Sequence, residues 1–406
     1  MKSPWVVFIE SNTTGTGWLF VKAAAEHGFS PVVLAEKPKR YSYLKQNAVD
    51  YICCDTGSYH HISQVFESLR RERPIAGVLS SSEYFLEIAA IFASEYGLPG
   101  ADPVALRTCR NKWTQRKMLQ QSGLAVPKFE RVTSIPDACL ALDRIALPVV
   151  VKPSTGSGSV CVRLCRTLPE VVEHMELLLS RTTNERGMPV CPEILIEEYL
   201  LGDEYSVETF GEEVLGITRK HVSAEPFFVE LGHDFPAVID AELAANISMV
   251  SRNALSAMGL AWGPTHIELR VTSNGPVIVE INPRLAGGFI PEIVRLAYNI
   301  DMIRETVRLA TGANVNISPG YSAHASIRFL VPQTAGVIKA IRGVEDAMQI
   351  RGVVDVRTYR SIGDSVRIEH DFRDRIGHVI ACDELAMNAA RNSDVASNKI
   401  HFEIRA

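Results

Sequence analysis

The sequence contains no C-x-x-C pair, and its eight cysteines follow no framework spacing. That excludes a zinc ribbon and a disulfide scaffold and points to reduced thiols in a cytoplasmic protein. No run rich in lysine and arginine interrupts a chain whose formal net charge is −5, so nothing speaks for nucleic acid as a partner. No apolar stretch reaches the length of a membrane span, and the apolar run after Met1 is too short for the core of a signal peptide. Internal repeats and low-complexity tracts are also missing. What is there is 406 residues, 46% of them apolar, enough to bury large cores in two or three domains.

The most informative stretch is 264–290. Two runs, HIELRV and PVIVEIN, are rich in Ile and Val, and Ser273-Asn274-Gly275-Pro276 between them is turn chemistry. A β-hairpin is expected. Alternation puts Glu268 on one face with His266 and Arg270, and Glu280 on one face with Asn282. A loop with an odd number of residues, centred on Asn274, would set Glu268 opposite Glu280. Two ionised carboxylates so placed repel unless a cation lies between them. Oxygen ligands with an amide beside them suit Mg²⁺ or Mn²⁺. The competing interpretation is a solvated hairpin with two unrelated glutamates. Arg284, two residues past Asn282, and Gly287-Gly288 opening a helix at IPEIVRLAYNI weigh against it. A fixed guanidinium beside divalent cations and a helix N-terminus suits oxyanions, so phosphates and carboxylates are the expected substrates.

The chain begins with a βαβ pattern: WVVFIE, then SNTTGTG, a helical WLFVKAAAEHG, and PVVLAE. Gly15 and Gly17 suggest a dinucleotide fingerprint, but Phe20 stands where its third glycine belongs. Strands at DYICC and AGVLS with two more helices complete an open parallel sheet by about residue 100. Ser80-Ser81-Ser82-Glu83 follows a strand at the carboxyl edge where such sheets bind ligands; it reads as a capped helix start, with Ser as N-cap and Glu83 in the first turn, and a ligand role is the alternative. VALRTCRNKWTQRKMLQQSG, carrying Lys112, reads as one basic amphipathic helix ending at Gly123. Lys152 ends an apolar strand and precedes STGSGSV, whose backbone N–H groups could fold over phosphates. No Gly-Lys-Ser/Thr follows, so it is not a Walker motif. Arg219-Lys220-His221 closes a strand run, and PFFVELGHDFPAVI reads as an irregular apolar segment in which a lone His233 is ordinarily structural. Past residue 315 come short strands and a helix that look like a small α+β lid with no chemistry of its own.

Taken in order, the helix with Lys112, the strand-end Lys152 before a Ser/Gly loop, EEYLLGDEYSVE, and IEL…EINPR resemble the ATP-grasp superfamily. VEINPRLAGGFIPEIV, with FVELGHDFPA and RDRIGHVIACDE, looks most like the bacterial L-amino acid ligases and related carboxylate–amine ligases of peptide natural products. The resemblance implies an α/β and α+β chain: an N-terminal open, Rossmann-like α/β domain (1–105), an ATP-grasp region (106–315) and a C-terminal α+β cap (316–406). It implies that Lys112 and Lys152 hold ATP phosphates, that Glu197 and the Leu200 backbone receive adenine and Glu204 the ribose, and that Lys220 contacts the γ-phosphate. Glu268, Glu280 and Asn282 would bind Mg²⁺ (or Mn²⁺), Arg284 the transferring phosphoryl group, and His233 would sit near the acyl group.

On this reading ATP activates a small carboxylate as an acyl phosphate, and the amine of a second amino acid attacks it, releasing ADP and phosphate. Arg284 with the N–H groups near Gly287 and Gly288 is placed to stabilise the tetrahedral oxyanion. The Ser/Gly loop at 154–159 is expected to close as a lid against water. The partners are small molecules, with no nucleic acid and no membrane, and a homodimer is compatible with the sequence. A biotin-carboxylase-like ATP-dependent carboxylase and a non-catalytic ATP-binding sensor stay open as alternatives.

Overall fold

The computed structural model describes residues 2–12, 16–184, 186–190 and 192–405. Gly15 of the suspected fingerprint lies outside them. The expected open sheet is present and wholly parallel, in the spatial order Asp50–Cys53, Ser30–Ala35, Trp5–Ile9, Ile75–Leu79. Alternation along its strands feeds two cores. Trp5, Val7, Ile9, Val32 and Leu34 face the helices carrying Ile62, Phe66 and Phe92. Val6, Phe8, Val33 and Leu79 face the other way, onto the helices Thr16–Glu26 and Met302–Ala310. The second of these comes from far along the chain, so one face of the N-terminal sheet is finished by a helix that starts at residue 302.

A small antiparallel sheet follows, ordered Phe129–Val132, Ile194–Glu198, Val149–Pro153, Arg163–Cys165, with Lys152 on its third strand. Between its helix Leu168–Leu179 and the strand Ile194–Glu198, a loop reaches back to the N-terminal sheet. There Arg186 donates to the Tyr41 hydroxyl (2.7 Å), the Ser82 hydroxyl (2.8 Å) and the Ser11 carbonyl (3.2 Å).

The largest sheet has eight strands and is antiparallel. Its order is Gly275–Asn282, Pro264–Thr272, Asp203–Phe210, Glu213–Val222, Glu230–Phe235, His324–Leu330, Gly377–Asp383, Val353–Thr358. Two expectations are revised here. Part of the segment expected to be irregular, Glu230–Phe235, is an interior strand, paired on one side with Glu213–Val222 and on the other with His324–Leu330. The single basic helix is two, Pro103–Arg110 and Lys112–Gln121, because Asn111 adopts an extended conformation and its side chain caps the Thr114 N–H. The C-terminal strands 324–330, 353–358 and 377–383 extend the large sheet, while Ser365–Val366, Gly336–Arg342 and His401–Arg405 form a third small one.

Candidate active site

The hairpin is present, and Glu268 is the register partner of Glu280. The route differs from the expected odd loop. Thr272 pairs with Gly275, so the turn holds only Ser273 and Asn274, and a bulge at Val279 restores the opposition of the two carboxylates. The bulge also turns Val279 and Glu280 both toward a cavity of about 1250 Å³.

Lys112, Lys152, Glu197, Leu200, Glu204, Glu268, Glu280, Asn282, Arg284, Gly287 and Gly288 all line that cavity. Two expected residues stand behind the wall: Lys220 and His233 are buried. The cations are held by carboxylates. Lys112 Nζ lies 3.0 Å from Glu280 Oε1 and donates to the Gly156 carbonyl over 2.7 Å, which ties the Ser/Gly loop to the floor. Lys152 Nζ sits 2.5 Å from Glu197 Oε2, and Arg116 Nε donates to the other oxygen of Glu197 over 2.7 Å. The Glu197 carboxylate is thus spent on fixing Lys152. Lys220 Nζ lies within 2.9 Å of Glu204, 2.8 Å of Glu230 and 3.2 Å of Glu268. Burial alone would neutralise this lysine, but the three carboxylates outweigh it and push its pKa well above the ordinary value. Arg270 links the Leu200 carbonyl and Glu204, each over 2.9 Å.

Arg284 is bidentate on Glu83 Oε2, with Nε at 2.9 Å and Nη2 at 2.7 Å. Burial opposes ionisation of Glu83, but Arg284 and Arg110 prevail and bring its pKa down to about 2. Ser82 stands at the expected N-cap position with Glu83 in the first turn of the short helix Glu83–Phe85, but its hydroxyl makes no cap bond and instead receives Arg186. His233 is wholly buried, its ring edge-on to Phe329, and neither ring nitrogen has a hydrogen-bond partner. Burial lowers its pKa to about 3, against the nearby Glu230 charge. Gly288, at φ +60°, passes so close that a Cβ there would lie 2.5 Å from His233 Nε2. Only glycine fits that approach.

Sequence reasoning missed Arg116, Glu230 and Arg375, and named Glu83 and Arg270 without finding their partners. Glu230 takes Lys220 on one oxygen and Arg375 on the other, and Arg375 stacks 3.9 Å over the Phe329 ring. The only local signal was Glu230 lying three residues before His233 in an otherwise apolar run. For a metal, the opposed Glu268 and Glu280 with Asn282 beside them form an oxygen-only donor set, which fits a hard divalent cation. Among the described residues no cluster of three or more His, Cys, Asp or Glu side chains forms a cage without further donors.

A family model for the ATP-grasp domain matches residues 145–292, and the chain is 36% identical over 376 residues to protein y4rH of Sinorhizobium fredii, covering 93% of this chain and 78% of that one. The chain belongs to the ATP-grasp superfamily. A second model, for the L-amino acid ligase C-terminal domain 2, matches residues 328–405. Among ATP-grasp relatives, an L-arginine-specific L-amino acid ligase of Bacillus subtilis is 22% identical over 322 residues, 78% of this chain and 77% of that one. The crystal structure of an L-amino acid ligase from Bacillus licheniformis superimposes with a TM-score of 0.82 at 22% identity, covering 100% of both chains. The two folds therefore agree along the whole chain, and no helix among the described residues is long and apolar enough to cross a membrane.

Proposed function

We propose that this ATP-grasp carboxylate–amine ligase activates the carboxylate of one amino acid, or a related small acid, with ATP and couples it to the amine of a second amino acid, releasing ADP and phosphate. The observation that carries this reading is the convergence in one cavity of two lysine clamps, two opposed carboxylates and Arg284 beside the Gly287-Gly288 loop. Phosphoryl transfer is catalysed by positioning and charge stabilisation, and these groups supply both.

Glu268, Glu280 and Asn282 would hold Mg²⁺ or Mn²⁺, which when bound neutralises phosphate charge. Lys112 and Lys152 are the phosphate clamps. Lys112 pairs with Glu280 and Lys220 with Glu268, so each carboxylate of the proposed metal set also lies against a cation. Leu200 and Glu204 border the adenosine end, Glu197 fixes Lys152, and Arg284 with the loop at Gly287 and Gly288 stabilises the oxyanion. His233 stays neutral and packs behind Gly288, near the acyl group.

The test is a matrix of amino acid pairs with ATP and Mg²⁺, reading phosphate release and product mass. ADP release that requires an amine, with a product of summed mass less water, is the expected result. Release that depends on bicarbonate, or no release with any pair, would overturn the reading.

A further inference from the structure

The C-terminal segment brings to the cavity a hydrogen-bonded chain of side chains that has no part in the reading above. His378, on the strand Gly377–Asp383, is fully buried. Its Nε2 lies 3.1 Å from Asp355 Oδ2 and its Nδ1 2.5 Å from the Tyr359 hydroxyl. Asp355 is held in turn by Arg357 Nε at 2.9 Å. Asp355, Arg357 and Tyr359 line the cavity. Phe289, the residue after Gly288, has its ring centroid 4.4 Å from that of His378 and 6.4 Å from that of Tyr359. The chain therefore opens beside the expected oxyanion loop.

The partners fix where the protons are. An ionised carboxylate only accepts, so Nε2 carries the imidazole proton and Nδ1 presents its lone pair. Tyr359 then donates to Nδ1, and its oxygen shows the cavity lone pairs alone. Burial holds His378 below its ordinary pKa against the Asp355 hydrogen bond, and burial pushes the Tyr359 phenol up. The imidazole is neutral near pH 7 and able to take a proton. The other charged groups that act on the pair are Glu292 on His378, Arg375 on Tyr359 and Arg357 on both.

Amide formation needs such an acceptor. An amine that attacks an acyl carbon becomes a cationic nitrogen and must shed a proton before the adduct collapses. Lys220 and Arg284, held as cations by carboxylates, accept nothing, and Lys112 and Lys152 are each paired with a carboxylate. Glu83 already receives Arg284 and Arg110, and Glu230 receives Lys220 and Arg375, so neither carboxylate is free to serve as the base.

We propose that Tyr359 is the catalytic proton acceptor of the amide-forming step, with His378 and Asp355 as positioning residues behind it. The N–C bond forms as the amine attacks. The adduct's N–H proton passes to the Tyr359 oxygen while the phenol's own proton passes to His378 Nδ1, leaving an imidazolium against Asp355. The C–O bond to phosphate breaks, and phosphate leaves with its electron pair. His378 afterwards returns its proton through Tyr359 to solvent. This rests on the ligase reading and adds the route of the proton.

Tyr359→Phe keeps the ring beside Phe289 and removes the acceptor. With an amino acid pair that the wild type joins, single-turnover product formation is expected to be about a hundredfold slower at pH 7. With hydroxylamine as the nucleophile, small and weakly basic enough to lose its proton to water, hydroxamate is expected at the wild-type rate. His378→Gln is expected to slow product formation in the same way and to erase the fall in rate that the wild type shows as pH drops and His378 protonates. Product at the wild-type rate in Tyr359→Phe would overturn the inference. So would an equal loss of product and hydroxamate, which marks Tyr359 as structural. Wild-type enzyme that forms no hydroxamate and releases no ADP overturns the ligase reading and the inference together, whereas the first two results overturn the inference alone.

Discussion

Arg284 donates twice to Glu83, a residue 201 positions away in sequence, and that pairing sets what its replacement should do. The guanidinium is anchored on the N-terminal domain and lines the cavity beside Leu285 to Gly288, while the lysine clamps belong to other elements. Arg284→Ala is expected to form product at least about a hundredfold more slowly with ATP affinity nearly unchanged, because the interaction is made mainly in the transition state. Calorimetry and single-turnover rates on one variant check it. Lysine should rescue little, since a point charge cannot keep the planar two-pronged contact. His233 supports a second test. Its folded pKa is about 3 against an ordinary 6.5, so below pH 6.5 the unfolded chain takes up a proton that the native chain refuses. Stability is lost as pH falls from 6.5 toward 3, by at most about 1.4 kcal/mol per pH unit from this group. Urea unfolding of His233→Phe between pH 7 and 4.5 should fall less steeply than that of the wild type, and equal slopes would clear this histidine. The hairpin was legible because two Ile/Val-rich runs and their turn residues lie in one short stretch, whereas the bulge at Val279 that brings Glu268 opposite Glu280 was not. Glu83, Glu230 and Arg375 were not, because each gains its meaning from a partner on a distant segment.

On the proposed mechanism, water exclusion falls to the Ser/Gly loop at 154–159. It is tied down by Lys112, whose ammonium takes the Gly156 carbonyl and whose backbone N–H takes the Ser154 carbonyl over 2.8 Å. Gly158, at φ +67°, runs so close to Phe372 that a Cβ would lie 2.5 Å from its ring. Hydrogen exchange across 154–159 is expected to slow on adding a non-hydrolysable ATP analogue. Gly158→Ala, strained in backbone and crowded by Phe372, should lose that protection and lower product yield per ATP as activated acid is lost to water. Unchanged protection in wild type would remove the loop from the mechanism. Elements with a clear pattern, such as the unbroken apolar run of Trp5–Ile9 and the helical periodicity of Tyr59–Glu72, were readable from sequence. The strand Glu230–Phe235 was not: its ELGHDF holds Glu, Gly, His and Asp in six residues, and the partners that accommodate Glu230 and Asp234 lie on other segments. The break at Asn111 was hidden by helical periodicity continuing on either side of a residue whose side chain competes with the helix.

At the scale of the whole molecule, the order of motifs was enough to identify the ATP-grasp arrangement, but the way distant segments complete one another was not. The N-terminal sheet is the clearest case. Val6, Phe8, Val33 and Leu79 share a core with Ile293, Val294, Met302, Ile303 and Val307. A fragment ending at residue 105 leaves part of that face without its cover. It is expected to bind hydrophobic dye and to aggregate at concentrations where the full chain is soluble, and a fragment that melts cooperatively without dye binding would contradict this. The same arrangement bears on how the chain is made. A ribosome adding about 5–20 residues per second needs roughly ten to fifty seconds to travel from Leu79 to Ala310. Throughout that interval the nascent domain carries an apolar face whose remaining cover has not been synthesised. Folding vectorially from the N-terminus is therefore closed to this chain as a complete route, and its yield in a cell depends on what shields the first sheet until the helices around residue 300 emerge.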